Sequence, residues 1–266
     1  MSMYNILIRS KRAKLVKDEF NPEKEVYLIQ EYRFLSKTWH VMEIRSDWGV
    51  TVGLFSHDYA YVEKRKIKWS DLFKIGNNKL PFAVFNMSSA HECEALLRGE
   101  CKVGKKKCYA WRDENVHKFP LPYRRRQEVM WRNHDEYQLA AMFKTWMDGK
   151  TDTLRLNEAG EMRDEYDVMK ANKIALFLSY YNMRVYTYSA RRSMPWDKLN
   201  RDHITIIGSS LEGLDGQFIM VKDARKALKQ ARSLGIKAMI CPSDCTKCDA
   251  CPKNKEEQKI IFAQEH

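Results

Sequence analysis

Four cysteines lie within eleven residues near the end of the chain, in the run Cys241-Pro-Ser-Asp-Cys245-Thr-Lys-Cys248-Asp-Ala-Cys251-Pro252. A loop this short brings its thiols together at little entropic cost, and soft sulfur ligands select zinc, copper(I) or iron–sulfur clusters. The portion from Cys245 to Pro252 matches part of a ferredoxin-type ligand run, whereas a zinc ribbon separates two C-x2-C pairs by a longer stretch. The run therefore favours a [4Fe-4S] cluster, with zinc as the alternative.

Three further cysteines form a looser group, with seven residues between Cys93 and Cys101 and six between Cys101 and Cys108. Three protein thiols can hold a four-iron cluster and leave one iron open to a substrate or nucleotide. Alternatively, some of these thiols complete a site that the C-terminal group begins. Residues 1–12 lack a secretory signal, so we expect a reducing cytoplasm, where clustered cysteines are metal ligands rather than disulfides.

Residues 76–266 alternate short apolar runs with helical patterns. The predicted strands cover 81–88, 153–156, 184–189, 203–207, 218–221 and 237–240, and the predicted helices cover 127–147, 164–180 and 224–234. This alternation predicts parallel strands joined by right-handed crossovers, hence an α/β, TIM-barrel-like domain of about six strands. Ligand sites of such folds lie at the carboxyl ends of the strands, and both cysteine groups follow strands, so both are expected at that edge. The connection over 208–217 is short for a helical crossover.

Residues 1–75 have a different pattern. Apolar side chains alternate with polar ones from Met42 to Leu54, which is typical of a half-buried antiparallel sheet, and residues 3–8 and 26–32 are candidate companion strands. The turn sequence Gly76-Asn77-Asn78 marks a boundary. We therefore expect a β-rich N-terminal appendage over 1–75 and the α/β domain over 76–266.

The chain carries a formal net charge of +12 and has a pI near 9.3. This balance favours polyanionic partners such as nucleic acid or a phosphate-bearing metabolite, although a solubilising basic surface is an equal alternative. Basic runs lie at 9–14, 64–66, 105–107 and 124–126, and the longest apolar stretches are too short to span a bilayer, so no membrane partner is expected. The lysines at 105–107 can also offset the negative charge of a cluster bound beside Cys108.

The order of several segments resembles a known family. A strand at 82–88, a cysteine loop ending Cys108-Tyr109-Ala110, the stretch from Leu154 to Glu161, a Tyr186-Thr187-Tyr188 strand and a closing Ile240-Cys241-Pro242 look like a phage-encoded family of TIM-barrel iron–sulfur proteins. That family is distantly similar to radical S-adenosylmethionine enzymes. The resemblance covers about 81–252; in radical enzymes a C-x3-C-x2-C motif follows the first strand, whereas here that spacing occurs at Cys241, Cys245 and Cys248, after the last predicted strand.

The resemblance implies a viral protein of the host cytoplasm that binds an iron–sulfur cluster and has redox or radical chemistry at the C-terminal face of a barrel. It implies S-adenosylmethionine as a further cofactor. The residues that it assigns to this cofactor are Asn157, Glu158, Gly160, Glu161 and Tyr188, and the metal ligands are Cys93, Cys101, Cys108, Cys241, Cys245, Cys248 and Cys251. His91, two residues before Cys93, is a further candidate ligand. The alternative function is nucleic-acid binding by a protein whose zinc or iron–sulfur site is structural.

Overall fold

The computed structural model describes residues 14–17, 25–34, 37–46, 49–56, 73–77, 79–117 and 120–265. Its strands are β1 Lys14–Lys17, β2 Glu25–Phe34, β3 Lys37–Ser46, β4 Gly49–Ser56, β5 Lys74–Asn77, β6 Leu80–Phe85, β7 Thr153–Leu156, β8 Arg184–Ser189, β9 Ile204–Ser209, β10 Gln217–Val221, β11 Ala238–Ile240 and β12 Ile260–Gln264. Its helices are α1 Glu94–Leu97, α2 Gly104–Lys107, α3 Tyr109–Val116, α4 Pro120–Asn133, α5 Glu136–Met147, α6 Glu165–Ser179, α7 Ala224–Ser233 and α8 Asn254–Glu257. Within these ranges, no helix is both long enough and apolar enough to cross a membrane.

The chain divides into two compact units. The first contains Met1–Leu72 and Asp113–Asp135, and the second contains Phe73–Arg112 and Glu136–His266. Residues 113–135, which the sequence pattern assigned to the α/β domain, therefore belong with the N-terminal residues. The predicted strand at 3–8 and the basic run at 64–66 lie outside the described residues, as does the run at 9–14 except for Lys14.

The first unit contains an antiparallel sheet with the strand order β1-β2-β3-β4. The alternation seen from Met42 to Leu54 becomes β3 and β4, which pair antiparallel with Ser46 opposite Gly49. Helix α4 packs against β3 and β4. The basic run at 124–126 is not a solvated face, because Arg124 is buried and pairs with Glu114 at 2.9 Å and with Asp113 at 3.1 Å.

The second unit is an eight-stranded sheet in the order β11-β12-β10-β9-β8-β7-β6-β5, in which β5 alone runs antiparallel to its neighbour. The mixed α/β class is confirmed. The sheet is open, with β5 and β11 at its edges, so the pairing does not close the sheet as a TIM barrel requires.

One face of this sheet is covered by aromatic packing from α5, where Phe143 meets Phe85 of β6 edge to face at 4.9 Å. The other face carries a second apolar cluster from β6, β8 and β9, and the half-buried thiols of Cys245 and Cys251 pack against it. The cluster residues are Leu80, Phe82, Val84, Tyr186 and Ile207. This second face therefore connects the sheet to the C-terminal cysteines.

Two of the differences from the predicted elements bear on the domain boundary and on the cysteine loop. The single helix expected over 127–147 is wrong: α4 ends at Asn133 and α5 begins at Glu136, in different units. Asn133, His134 and Asp135 are weak helix formers, and Asn and Asp favour helix caps, which explains the break. Strand β12 was not predicted, and it inserts between β10 and β11.

Candidate metal centre

The four C-terminal cysteines line one pocket. Its volume is about 320 Å³ when the adjoining open solvent is counted. The remaining lining is mostly apolar and comes from β6, β11, β12 and the loop itself: Phe82, Met239, Pro242, Asp244, Ala250, Pro252 and Ile261. Within the loop, a short 3-10 turn over Cys245–Lys247 brings the backbone N–H of Cys248 back to the carbonyl of Cys245. The turn is capped by Asp244, whose carboxylate accepts from the Thr246 N–H at 3.1 Å. The local sequence thus folds all four thiols around one space.

The electrostatics of this pocket suit a cation bound by sulfur. Burial, with a smaller contribution from the neighbouring thiols of Cys241 and Cys245, raises the pKa of Cys251 to about 11. The pKa of Cys245 is also raised, by burial and by Cys241 and Cys248. Several thiolates cannot share such a site without a positive charge to offset them, and an all-sulfur donor set selects a soft metal. The donors present therefore fit a zinc ion or an iron–sulfur cluster.

Two residues of the sheet supply polar contacts to these thiols. The Tyr188 hydroxyl donates to Cys251 Sγ at 2.9 Å, and burial raises the pKa of Tyr188 well above its usual value, so the phenol keeps its proton. Arg155 lies over the Tyr188 ring, 5.2 Å from the centroid, and its positive charge lowers the pKa of both Cys245 and Cys251. The Arg155 Nε is buried and has no hydrogen-bond partner within the part of the chain that the structure describes. A buried guanidinium nitrogen near Cys245 and Cys251 is a second feature that suits negative charge at this site.

Tyr188 was assigned to the S-adenosylmethionine site, and in the structure its hydroxyl lies against Cys251 of the C-terminal group. Arg155 was missed by the sequence analysis. The sequence does mark this residue, because Arg155 is the one charged side chain in the short strand Thr153–Leu156, whose other residues are buried.

The C-terminal loop does not stay at the carboxyl edge of the sheet. The Cys245 N–H donates to the carbonyl of Lys79, just before β6, and the Thr205 hydroxyl near the start of β9 donates to the carbonyl of Pro252. The expectation that both cysteine groups lie at the carboxyl edge is therefore corrected. Because β11 and β12 are parallel neighbours, the chain between them must return to the amino end, and it carries the cysteines with it.

The first cysteine group lies at the carboxyl ends of β6 and β7. Burial raises the pKa of Cys93 to about 12, and the charges of Glu161, Cys101 and Cys108 contribute, which places these groups near one another. Cys108 Sγ accepts from the Trp111 N–H at 3.4 Å. The fit to a metal is weaker than in the C-terminal loop, because the group offers three thiols and a buried carboxyl rather than four thiols.

The rim beside Cys108 carries aromatic and basic side chains. The His91 ring stacks on Trp111 with centroids 4.2 Å apart, and the Lys105 ammonium lies 4.8 Å from the Trp111 ring centroid. His91 therefore lies near the first thiol group, because the Trp111 ring on which it stacks belongs to the residue whose N–H donates to Cys108 Sγ. Glu158 lies on the same rim, where its carbonyl accepts from the Tyr109 hydroxyl.

Asn157, Gly160 and Glu161 hold the two rim loops together. Asn157 Oδ1 accepts from the Met87 N–H at 2.8 Å, and the Ser88 hydroxyl accepts from the Glu161 N–H at 3.1 Å. The Glu161 carboxylate accepts from the N–H groups of Met162 and Ala190, and burial raises its pKa to about 7. The Asn157 Nδ2 is buried and finds no hydrogen-bond partner among the described residues.

Among the described residues, no three His, Cys, Asp or Glu side chains already form a group that could hold a metal ion. Loading either group must therefore include rotation of thiol side chains. No protein-family model, curated protein or solved structure matches the chain significantly, so no relative assigns a role to these residues.

Proposed function

We propose that the protein binds an iron–sulfur cluster through Cys241, Cys245, Cys248 and Cys251 and uses it in redox chemistry. The observation that carries this proposal is the single pocket lined by all four thiols. The ferredoxin-like spacing of Cys245, Cys248 and Cys251 favours iron and sulfide over zinc. When bound, such a cluster supplies one-electron transfer.

The surroundings support a negatively charged centre. Arg155 offers a positive charge beside Cys245 and Cys251, and Tyr188 offers an O–H donor to the Cys251 sulfur. Hydrogen bonds to sulfur, net charge and solvent exposure set the reduction potential of iron–sulfur clusters. Tyr188 and Arg155 would therefore hold and tune the centre, while the apolar lining from Phe82 and Ile261 limits water.

For the first group, we propose a second, open cluster site with S-adenosylmethionine as its ligand and radical chemistry at the carboxyl face. The support is that the charges of Cys101 and Cys108 act on Cys93, beside loops that Asn157 and Glu161 hydrogen-bond together. Three thiols leave room for one exogenous ligand. This residue set matches what the family resemblance implies for a cofactor-binding edge.

The first experiment counts metal after anaerobic purification and reconstitution. We expect iron and acid-labile sulfide, visible absorption and a cluster signal in electron paramagnetic resonance after reduction. Cys248→Ser should remove the C-terminal share of the iron, whereas the control Thr246→Ala, in the same exposed turn, should retain it. Stoichiometric zinc without visible absorption would overturn the iron–sulfur proposal.

A second experiment separates the two groups. Cys101→Ser should lower the iron content without affecting the C-terminal cluster, so the iron losses of Cys101→Ser and Cys248→Ser should add in the double variant. Incubation of the reduced protein with S-adenosylmethionine should give 5′-deoxyadenosine in the wild type and not in Cys101→Ser. If the wild type gives no more product than a cysteine-free control, radical cleavage is rejected, while the metal count stands independently.

A further inference from the structure

Helix α7 presents a strongly basic surface. Its exposed side chains and those of its flanks include Lys222, Arg225, Lys226, Lys229, Arg232 and Lys237. The single carboxylate in this stretch, Asp223, is used as the helix cap, since it accepts from the Lys226 N–H at 2.9 Å. We call these six residues the basic face of α7.

The basic face has no acidic complement within the described part of the chain, where no ion pair involves these six residues. Other exposed lysines of the same unit differ: Lys144 pairs with Asp148 at 3.3 Å and Lys173 with Glu136 at 2.7 Å. Like charges three and four residues apart destabilise a helix. Repulsion among these side chains therefore destabilises the helix, and a bound polyanion would relieve that repulsion.

The apolar side of α7 is already in use. Ala224 and Ala231 are buried against Phe262 of β12, with Leu228 packed beside them. A helix that lies in a membrane surface inserts its apolar face between lipids, and here that face is covered by the sheet. Leu234 and Ile236 are exposed just beyond the end of α7, but the outward side of the helix itself carries the basic stripe, which favours a partner recognised through its charge.

We propose that the basic face of α7 binds the phosphate backbone of nucleic acid. Arg225, Lys229 and Arg232 follow an i, i+4, i+7 pattern, so they form one stripe about 10 Å long. That length equals about three phosphate spacings of a duplex strand, each about 3.4 Å along the axis. Contacts of this kind are independent of base sequence. The proposal does not depend on the identity of the metal.

The test measures binding of the full-length protein to a fluorescently labelled 20-base-pair DNA duplex as a function of salt. The variant Arg225→Gln/Lys229→Gln/Arg232→Gln removes the stripe, and Lys144→Gln/Lys173→Gln/Lys253→Gln removes three lysines that have acidic partners. Both variants lose the same net charge. We expect the stripe variant to bind at least tenfold more weakly and its log–log salt slope to fall in magnitude by about three, because each phosphate contact contributes about 0.9.

The control triple should change affinity by less than threefold, and Arg225→Lys/Arg232→Lys should retain the wild-type slope because it retains the charge. Unchanged thermal unfolding of the stripe variant would show that lost binding is not lost structure. Equal losses in both triples would overturn the proposal, since the effect would then be one of net charge. Absence of duplex binding at low salt, or binding of the stripe only to phosphatidylglycerol vesicles, would overturn it as well.

Discussion

Gly160 lies where the two rim loops touch. Its φ is +78°, and a Cβ built on it would meet the Ser88 hydroxyl at 2.2 Å and the Ser88 carbonyl oxygen at 2.3 Å. Gly149 has a similar φ of +66° but has open space around it. We predict that Gly160→Ala lowers the free energy of unfolding by about 3–5 kcal/mol, since overpacking adds to the backbone strain, and that Gly149→Ala lowers it by about 1–2 kcal/mol. Urea unfolding compares the two, and equal losses would contradict the close approach at Ser88.

Tyr188 gives the second prediction at the residue scale. In the iron-loaded protein, Tyr188→Phe removes the O–H donor to Cys251 Sγ, so electron density on the sulfur rises and the reduction potential should become more negative. Tyr186→Phe is the matched control, because Tyr186 lies on the same strand and the same face and makes no hydrogen bond to sulfur among the described residues. Redox titration followed by visible absorption measures both. Equal potentials in the two variants would remove Tyr188 from the set of tuning residues.

The cysteines of the C-terminal site could be predicted from the sequence, whereas Tyr188 and Arg155 could not be assigned to it. The thiols of the C-terminal loop are recognisable because their grouping is local in the chain. Tyr188 and Arg155 come from strands 63 and 96 residues before Cys251, and only strand pairing brings them to it. The alternation of strand faces placed Tyr186 and Tyr188 on one side of the sheet, but no local pattern identifies the sulfur that they face.

At the scale of elements, the parallel strands β9 and β10 are joined by a short connection that contains no helix. Gln217 pairs with Gly208, so β10 begins at the level where β9 ends and the chain has little distance to return. Asp215 holds this link: its carboxylate accepts from the Ile206 N–H at 2.8 Å and from Arg201 at 2.9 Å. The short connection noted in the sequence thus reflects an offset in register.

We predict that Asp215→Ala destabilises the protein by about 2–4 kcal/mol, because it leaves a backbone N–H and two neighbouring cations without their carboxylate. Asp223→Ala removes an exposed helix cap and should cost about 1 kcal/mol. Chemical unfolding of both variants makes the comparison. A smaller loss for Asp215→Ala than for Asp223→Ala would show that the register offset needs no such support.

Elements with local signals were predicted well. Helix α6 and strands β7 and β8 match within a residue, and Asp164 caps α6 by accepting from the Asp167 N–H at 2.9 Å. Strand β12 was missed, although Ile260, Ile261 and Phe262 form an apolar run. Its place between β10 and β11 breaks the chain order, and that insertion is what turns the cysteine loop toward the amino ends.

At the scale of the molecule, residues 113–135 show the limit of reading domains along the chain. The apolar pattern continues from Met130 to Trp146, yet the two-residue break at 134–135 separates helices of different units. The assignment of α4 to the first unit follows from packing on β3 and β4. An antiparallel sheet with one apolar face needs such a cover, and the cover can come from any distance in sequence.

Metal loading should stabilise the second unit through the cysteine loop, which spans from Cys241 to the start of β12. The N–H groups of Cys241 and Cys245 donate to Phe262 and Lys79, so fixing the thiols fixes hydrogen bonds on two distant strands. A ligand present at about 100 times its dissociation constant adds about 2.7 kcal/mol, which corresponds to about hundredfold slower exchange of amides that open with the site. Hydrogen exchange should therefore slow over 79–85 and 238–262 on loading, and not over 25–56. Cys248→Ser should show no such change, and equal slowing across β2, β3 and β4 would contradict a local effect of the metal.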